Sequence, residues 1–76
     1  MYKSAIMIKD IDTAREFVDK MGKYMDTKVT LNSGDYSIDG HSIIGIISLD
    51  ITKPIEVIVD GADENEIKDI IEQYAI

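Results

Sequence analysis

The chain has 76 residues, room for one domain, and 45% of them are hydrophobic in short runs broken by charge, which excludes disorder. It holds no cysteine, which excludes disulfides, thiolate chemistry and cysteine-based zinc sites and leaves packing as the source of stability. Fifteen acidic against eight basic residues give a formal charge of -7, which repels nucleic-acid phosphates and anionic lipid and favours a protein partner with a basic face.

Tyr2 to Ile8 alternates, with Tyr2, Ser4, Ile6 and Ile8 on one side and Lys3, Ala5 and Met7 on the other, and this predicts a strand ending at Lys9-Asp10. From Asp12 the period becomes helical, with Ala14, Phe17, Val18, Met21, Tyr24 and Met25 on one stripe. Thr13-Ala14-Arg15-Glu16 fits a capping box, Asp12 is an alternative cap, and Gly22 is a weak point in the helix. Lys28 to Leu31 and Tyr36 to Ile38 flank the turn-rich Asn32-Ser33-Gly34-Asp35, which predicts a hairpin.

Ser42 to Leu49 is a continuous apolar run that suits a buried strand or a buried helix. Ser42 as an N-cap, with Gly45 and Ser48 poor in a strand, favours a helix, while the β-branched isoleucines favour a strand. Pro54 opens a strand over Ile55 to Val59, ended by Asp60-Gly61. Asp63 then caps a last helix with Ile67, Ile70, Ile71 and Tyr74 on one face and Glu64, Glu66, Lys68, Asp69 and Glu72 on the other. The order β-α-β-β-α-β-α predicts a two-layer sandwich of helices on a mostly antiparallel sheet. No apolar run approaches the roughly 20 residues that span a membrane. The amino terminus lacks the layout of a secretory signal, so a cytoplasmic location without membrane association is expected.

The segment His41-Ser42-Ile43-Ile44-Gly45-Ile46-Ile47-Ser48-Leu49 is similar to the one around the regulatory serine of the histidine-containing phosphocarrier (HPr) family, typically Lys-Ser-Ile-Met-Gly, an apolar pair and Ser-Leu. Asp60-Gly61-Ala62-Asp63-Glu64 resembles the family's stretch before its last helix, and the register from Asp12 to Leu49 needs no gap. The resemblance implies an α+β fold, an HPr-like open-faced β-sandwich in which three helices cover one side of a four-stranded antiparallel sheet, as a single domain over residues 1–76. It also resolves Ser42 to Leu49 as a helix, and it implies protein partners connected with the bacterial sugar phosphotransferase system.

The departure lies at the family's phosphorylation site, where the pattern His-Ala-Arg-Pro-Ala precedes the first helix. The same register puts Ile11, Asp12, Thr13, Ala14 and Arg15 there. Isoleucine cannot accept phosphate, Thr13 stands at the arginine and Ala14 at the proline. A shifted register returns Arg15 to an anion-binding role but restores no histidine, because His41 is the only one in the chain. His41 occupies the family's lysine position and is expected to be an exposed loop residue. With one histidine and no cysteine, neither a strong transition-metal site nor any other cofactor is expected.

Ser42 reads structurally as a helix cap. The resemblance makes it a regulatory phosphorylation site, where phosphate would rest on the first N–H groups of the helix while Asp39 and Asp50 oppose added charge. At 100° per residue, Ile46 and Leu49 fall on one face and Ile43, Ile44 and Ile47 towards another. One sheet cannot cover both, so Ile43, Ile44 and Ile47 are the expected partner-binding patch. There is no glycine-rich phosphate loop, no GxSxG and no His-rich metal motif, and Asp60 to Glu64 lacks the ligand spacing of a calcium loop. The reading is a non-enzymatic regulatory or interaction module. Its alternatives are a phosphoryl carrier with an atypical acceptor at Asp10, Asp12 or His41, and a plain domain that forms homo-oligomers.

Overall fold

The computed structural model describes all 76 residues. In chain order they form β1 (Tyr2–Ile6), α1 (Ile11–Met21), β2 (Lys28–Ser33), β3 (Tyr36–Asp39), α2 (Ile43–Ile47), β4 (Ile55–Asp60) and α3 (Glu64–Glu72). The strands make one antiparallel sheet in the order β1-β4-β2-β3. The element order and the open-faced sandwich are those the sequence implies.

Register explains which face is covered. Ser4 and Leu31 both stand opposite Val57, and Tyr2 and Val29 both stand opposite Val59, so the apolar alternation of the strands lines up on one side. There Ile6, Val29, Leu31, Ile55, Val57 and Val59 pack against Ala14, Phe17 and Met21 of α1, Ile46 of α2, and Ile67 and Ile71 of α3, all buried. The other face carries a polar ladder across three strands: Asn32 Nδ2 donates to Glu56 Oε1 at 3.0 Å, and Ser37 Oγ donates to Asn32 Oδ1.

Several boundaries differ from the expected ones, each for a local reason. β1 stops at Ile6, and its edge is closed from there by the chain's own last residues. The Met7 N–H donates to the Tyr74 carbonyl at 3.1 Å, the Ile76 N–H donates to the Ala5 carbonyl at 3.2 Å, and Ile6 pairs with Ala75. α1 begins at Ile11 because Asp10 is its cap, in place of the expected Thr13 box or Asp12. It ends at Met21, where Gly22 takes the C-cap and donates to the Val18 carbonyl at 2.9 Å. Tyr24 and Met25 therefore leave the helical stripe, Tyr24 half-buried and Met25 exposed.

The hairpin turn is tighter than a four-residue turn, since Asn32 and Ser33 remain in β2 and only Gly34-Asp35 connect the strands. Gly34 sits at φ 60, the left-handed conformation a two-residue hairpin loop demands at its first position. Asp63 lies at the start of α3 but makes no capping bond. Its Oδ2 instead accepts from the buried Thr27 hydroxyl at 3.2 Å, and its N–H donates back to Thr27 Oγ at 3.3 Å. At the other end of α3 the Tyr74 hydroxyl donates to Glu16 Oε1 at 2.6 Å, and its ring meets Phe17 edge-on at 5.4 Å, docking α3 on α1.

Candidate functional site

The start of α1 is where the resemblance places phosphate chemistry. Asp10 has extended backbone, and its Oδ1 accepts from the Thr13 hydroxyl at 2.6 Å and the Thr13 N–H at 2.7 Å. These bonds, the hydroxyl first, hold the Asp10 carboxyl below the ordinary carboxylate range. Ile11 follows as the first helical residue, 50% exposed. Arg15 lies in the open, its Nη1 3.9 Å from Asp12 Oδ1, a long and solvated pairing. The helix start thus presents an aliphatic side chain beside a cap whose Oδ1 takes both Thr13 bonds, and no imidazole.

The second station is α2. Ser42 has extended backbone and its Oγ accepts from the Gly45 N–H at 3.1 Å, so the expected N-cap is present. The Ser48 hydroxyl closes the other end on the Gly45 carbonyl at 2.6 Å, which limits the helix to Ile43–Ile47. Ile46 and Leu49 enter the core as the helical wheel predicts. Ile44 is 79% and Ile47 48% exposed, leaving an apolar pair facing water. Ile43, which the wheel groups with them, is half-buried and packs against the core.

Acidic groups stand at both ends of this helix. Asp39 is held below its usual range chiefly by the His41 backbone N–H, which donates to its Oδ1 at 2.9 Å. Asp50 is held down chiefly by the Thr52 hydroxyl, with the Thr52 N–H adding to it at 3.1 Å. Both stay ionised at neutral pH, Asp39 beside the His41 ring and Asp50 with Lys53 Nζ 3.8 Å from its Oδ2.

His41 departs from the exposed loop residue expected. Its side chain is 8% exposed, with Nδ1 2.7 Å from Asp39 Oδ1 and Nε2 3.2 Å from the Tyr24 carbonyl. Both nitrogens stand within hydrogen-bond distance of an acceptor. The ring borders a groove of about 520 Å³ lined also by Met25, Asp26, Lys28, Thr30 and Ile38. Sequence reasoning missed Thr27 altogether, because its partner Asp63 lies 36 residues away. No three histidine, aspartate or glutamate side chains gather as a metal ion requires, and no helix is long and apolar enough to cross a membrane.

The family described as the PTS HPr component phosphorylation site matches residues 11–75. Among solved structures, the chain is similar to HPr-C-His from Thermoanaerobacter tengcongensis, with 26% identity over 95% of this chain and 92% of that one and a TM-score of 0.78. It is similar in fold to a phosphocarrier protein HPr from Bacillus anthracis str. Ames, with 18% identity over 99% of this chain and 96% of that one and a TM-score of 0.81. No curated protein matches it.

Proposed function

The chain belongs to the HPr family of the phosphotransferase system, and from that premise we propose that it is a regulatory, protein-binding member that relays no phosphate through histidine. The observation that carries this reading is the pair of histidine positions: Ile11 stands at the family's carrier site, and both nitrogens of the only histidine are engaged by Asp39 and Tyr24. The protein then acts in the cytoplasm by binding rather than by catalysis.

Docking falls to α2, where Ile44 and Ile47 offer apolar area and Ile43 supports them from the core side. The chain's net charge of -7, with Asp39 and Asp50 before and after α2, suits a partner whose apolar contact is bordered by lysine or arginine. Ser42 is the proposed regulatory site. A phosphate there adds roughly -1.5 to -2 charges between two carboxylates, which changes affinity through charge at the edge of the contact.

Incubation with enzyme I and phosphoenolpyruvate tests the carrier half of the reading, and the expected result is no label. An acid-labile label on His41, or an acyl phosphate on Asp10 or Asp12, would overturn it. Partner capture from extract by the native chain, Ile44→Asp, Ile47→Asp and Ser42→Asp tests the docking half. Partners held by the native chain should be lost from the first two and altered for the third; equal capture by all four removes α2 as the interface.

A further inference from the structure

We propose that the groove beside α2 receives an arginine side chain of the protein that docks on that helix. The groove, of about 520 Å³, is continuous with the start of α2, since His41 borders it and the next residue, Ser42, caps the helix. The proposal rests on docking at α2 for the identity of the partner and adds the chemistry by which that partner is recognised.

Register sets the charges of the groove. Val29 enters the core, so Lys28 and Thr30 on either side of it lie on the open face of the sheet, with Asp60 opposite Lys28 and Asp39 opposite Thr30. The loop after α1 adds the exposed Asp26 and an apolar wall from Met25, which is 66% exposed. Asp26, Asp39 and Asp60 thus stand against the single ammonium of Lys28. Asp26 pairs with no cation of the chain, and both bonds from His41 to Asp39 end on Oδ1, which leaves Oδ2 open to a donor. No three of these carboxylates gather as a metal ion requires, so they suit a cation whose charge is spread. A guanidinium is planar, carries several N–H donors and is more weakly hydrated than an ammonium. It can rest on Met25 while it donates to the acceptors of the groove, where a compact lysine head engages fewer of them. Lys28 opposes any cation, so its removal strengthens binding.

NMR titration of the full chain with N-acetyl-arginine amide, whose blocked ends resemble a residue within a protein, tests the groove without any partner. The expected result is saturable shifts confined to the amides of 25–30 and 37–41, with weaker binding of N-acetyl-lysine amide and of the uncharged N-acetyl-citrulline amide. Asp26→Asn, at an exposed side chain with no ion pair to lose, should weaken binding about two- to fivefold, the scale of an exposed ion pair, and Lys28→Gln should strengthen it. Capture of a partner that needs Ile44 and Ile47 should weaken in Asp26→Asn as well. No saturable shift in the groove, equal binding of the lysine or citrulline amide, or tighter binding of free arginine, which would make a metabolite the occupant, overturns the proposal. So does partner capture that Asp26→Asn leaves unchanged. The amide titration reads no isoleucine of α2, so failure of the groove and failure of docking at α2 are separate results.

Discussion

Ile46→Ala and Ile44→Ala ask whether the two faces of α2 do different work. Ile46 is fully buried beneath the helix, and truncation removes three carbons from the core. At about 0.8 kcal/mol per buried methylene the transfer loss is about 2.4 kcal/mol, and the residual cavity raises it to about 3 kcal/mol, inside the usual range of about 2 to 5. A domain of this length has a total stability of roughly 4 to 11 kcal/mol. For a chain of this size each kcal/mol moves the melting temperature by roughly 4 to 8 °C, so Ile46→Ala should melt about 12 to 24 °C lower. Ile44, at 79% exposure, should change stability by no more than about 0.5 kcal/mol, or about 4 °C. Ile43 packs against the core from the edge and should fall between them. Thermal melts followed by circular dichroism, with urea midpoints at constant slope as a second measure, separate the three. Equal losses at Ile44 and Ile46 would refute the assignment of faces.

Gly40→Ala should destabilise by about 1 to 3 kcal/mol in urea unfolding, because its Cβ would stand 2.5 Å from Val29 Cγ1 while the Gly40 N–H is held by the Val29 carbonyl at 2.8 Å. Thr27→Val preserves shape but leaves the Asp63 N–H and carboxylate without their partner, and should lower stability by about 1 kcal/mol on the same assay. Asp10→Ala should lower the melting temperature at neutral pH by removing the cap on α1. Because the folded Asp10 carboxyl lies below its ordinary value, its contribution is complete above the unfolded pKa and is lost as pH falls through the folded one. Melting curves of Asp10→Ala and the native chain should therefore converge in acid.

Elements whose signal is periodic were readable from the sequence. Ala14, Phe17 and Met21 share a stripe because a helix repeats every 3.6 residues, and they are the residues of α1 that the core takes. Periodicity alone did not say where that helix stops: Tyr24 and Met25 continue the pattern, but Gly22 ends α1 before reaching them. The cap was misplaced by a few residues since Asp10, Asp12 and Thr13 all carry suitable oxygens, and only the backbone shows which oxygen meets which N–H. The isoleucine run of α2 was locally ambiguous and needed the family pattern to be read as helix. A wheel sorted Ile46 from Ile44 and Ile47 but mistook Ile43, because a five-residue helix lying on the sheet covers more than one stripe. The bonds of His41 to Tyr24 and of Thr27 to Asp63 join residues 17 and 36 apart, and no local pattern announces them.

The closure of β1 by residues 74–76 bears on how copies of this chain can meet. A bare strand edge is a template on which another chain can extend the sheet. Here the Ala5 carbonyl and the Met7 N–H are already spoken for, which shortens the open border of β1 at its C-terminal end. The opposite border is the four-residue β3, whose last carbonyl, at Asp39, is taken by Ser42. What stays open at either border is short, a length that gives another chain little to extend.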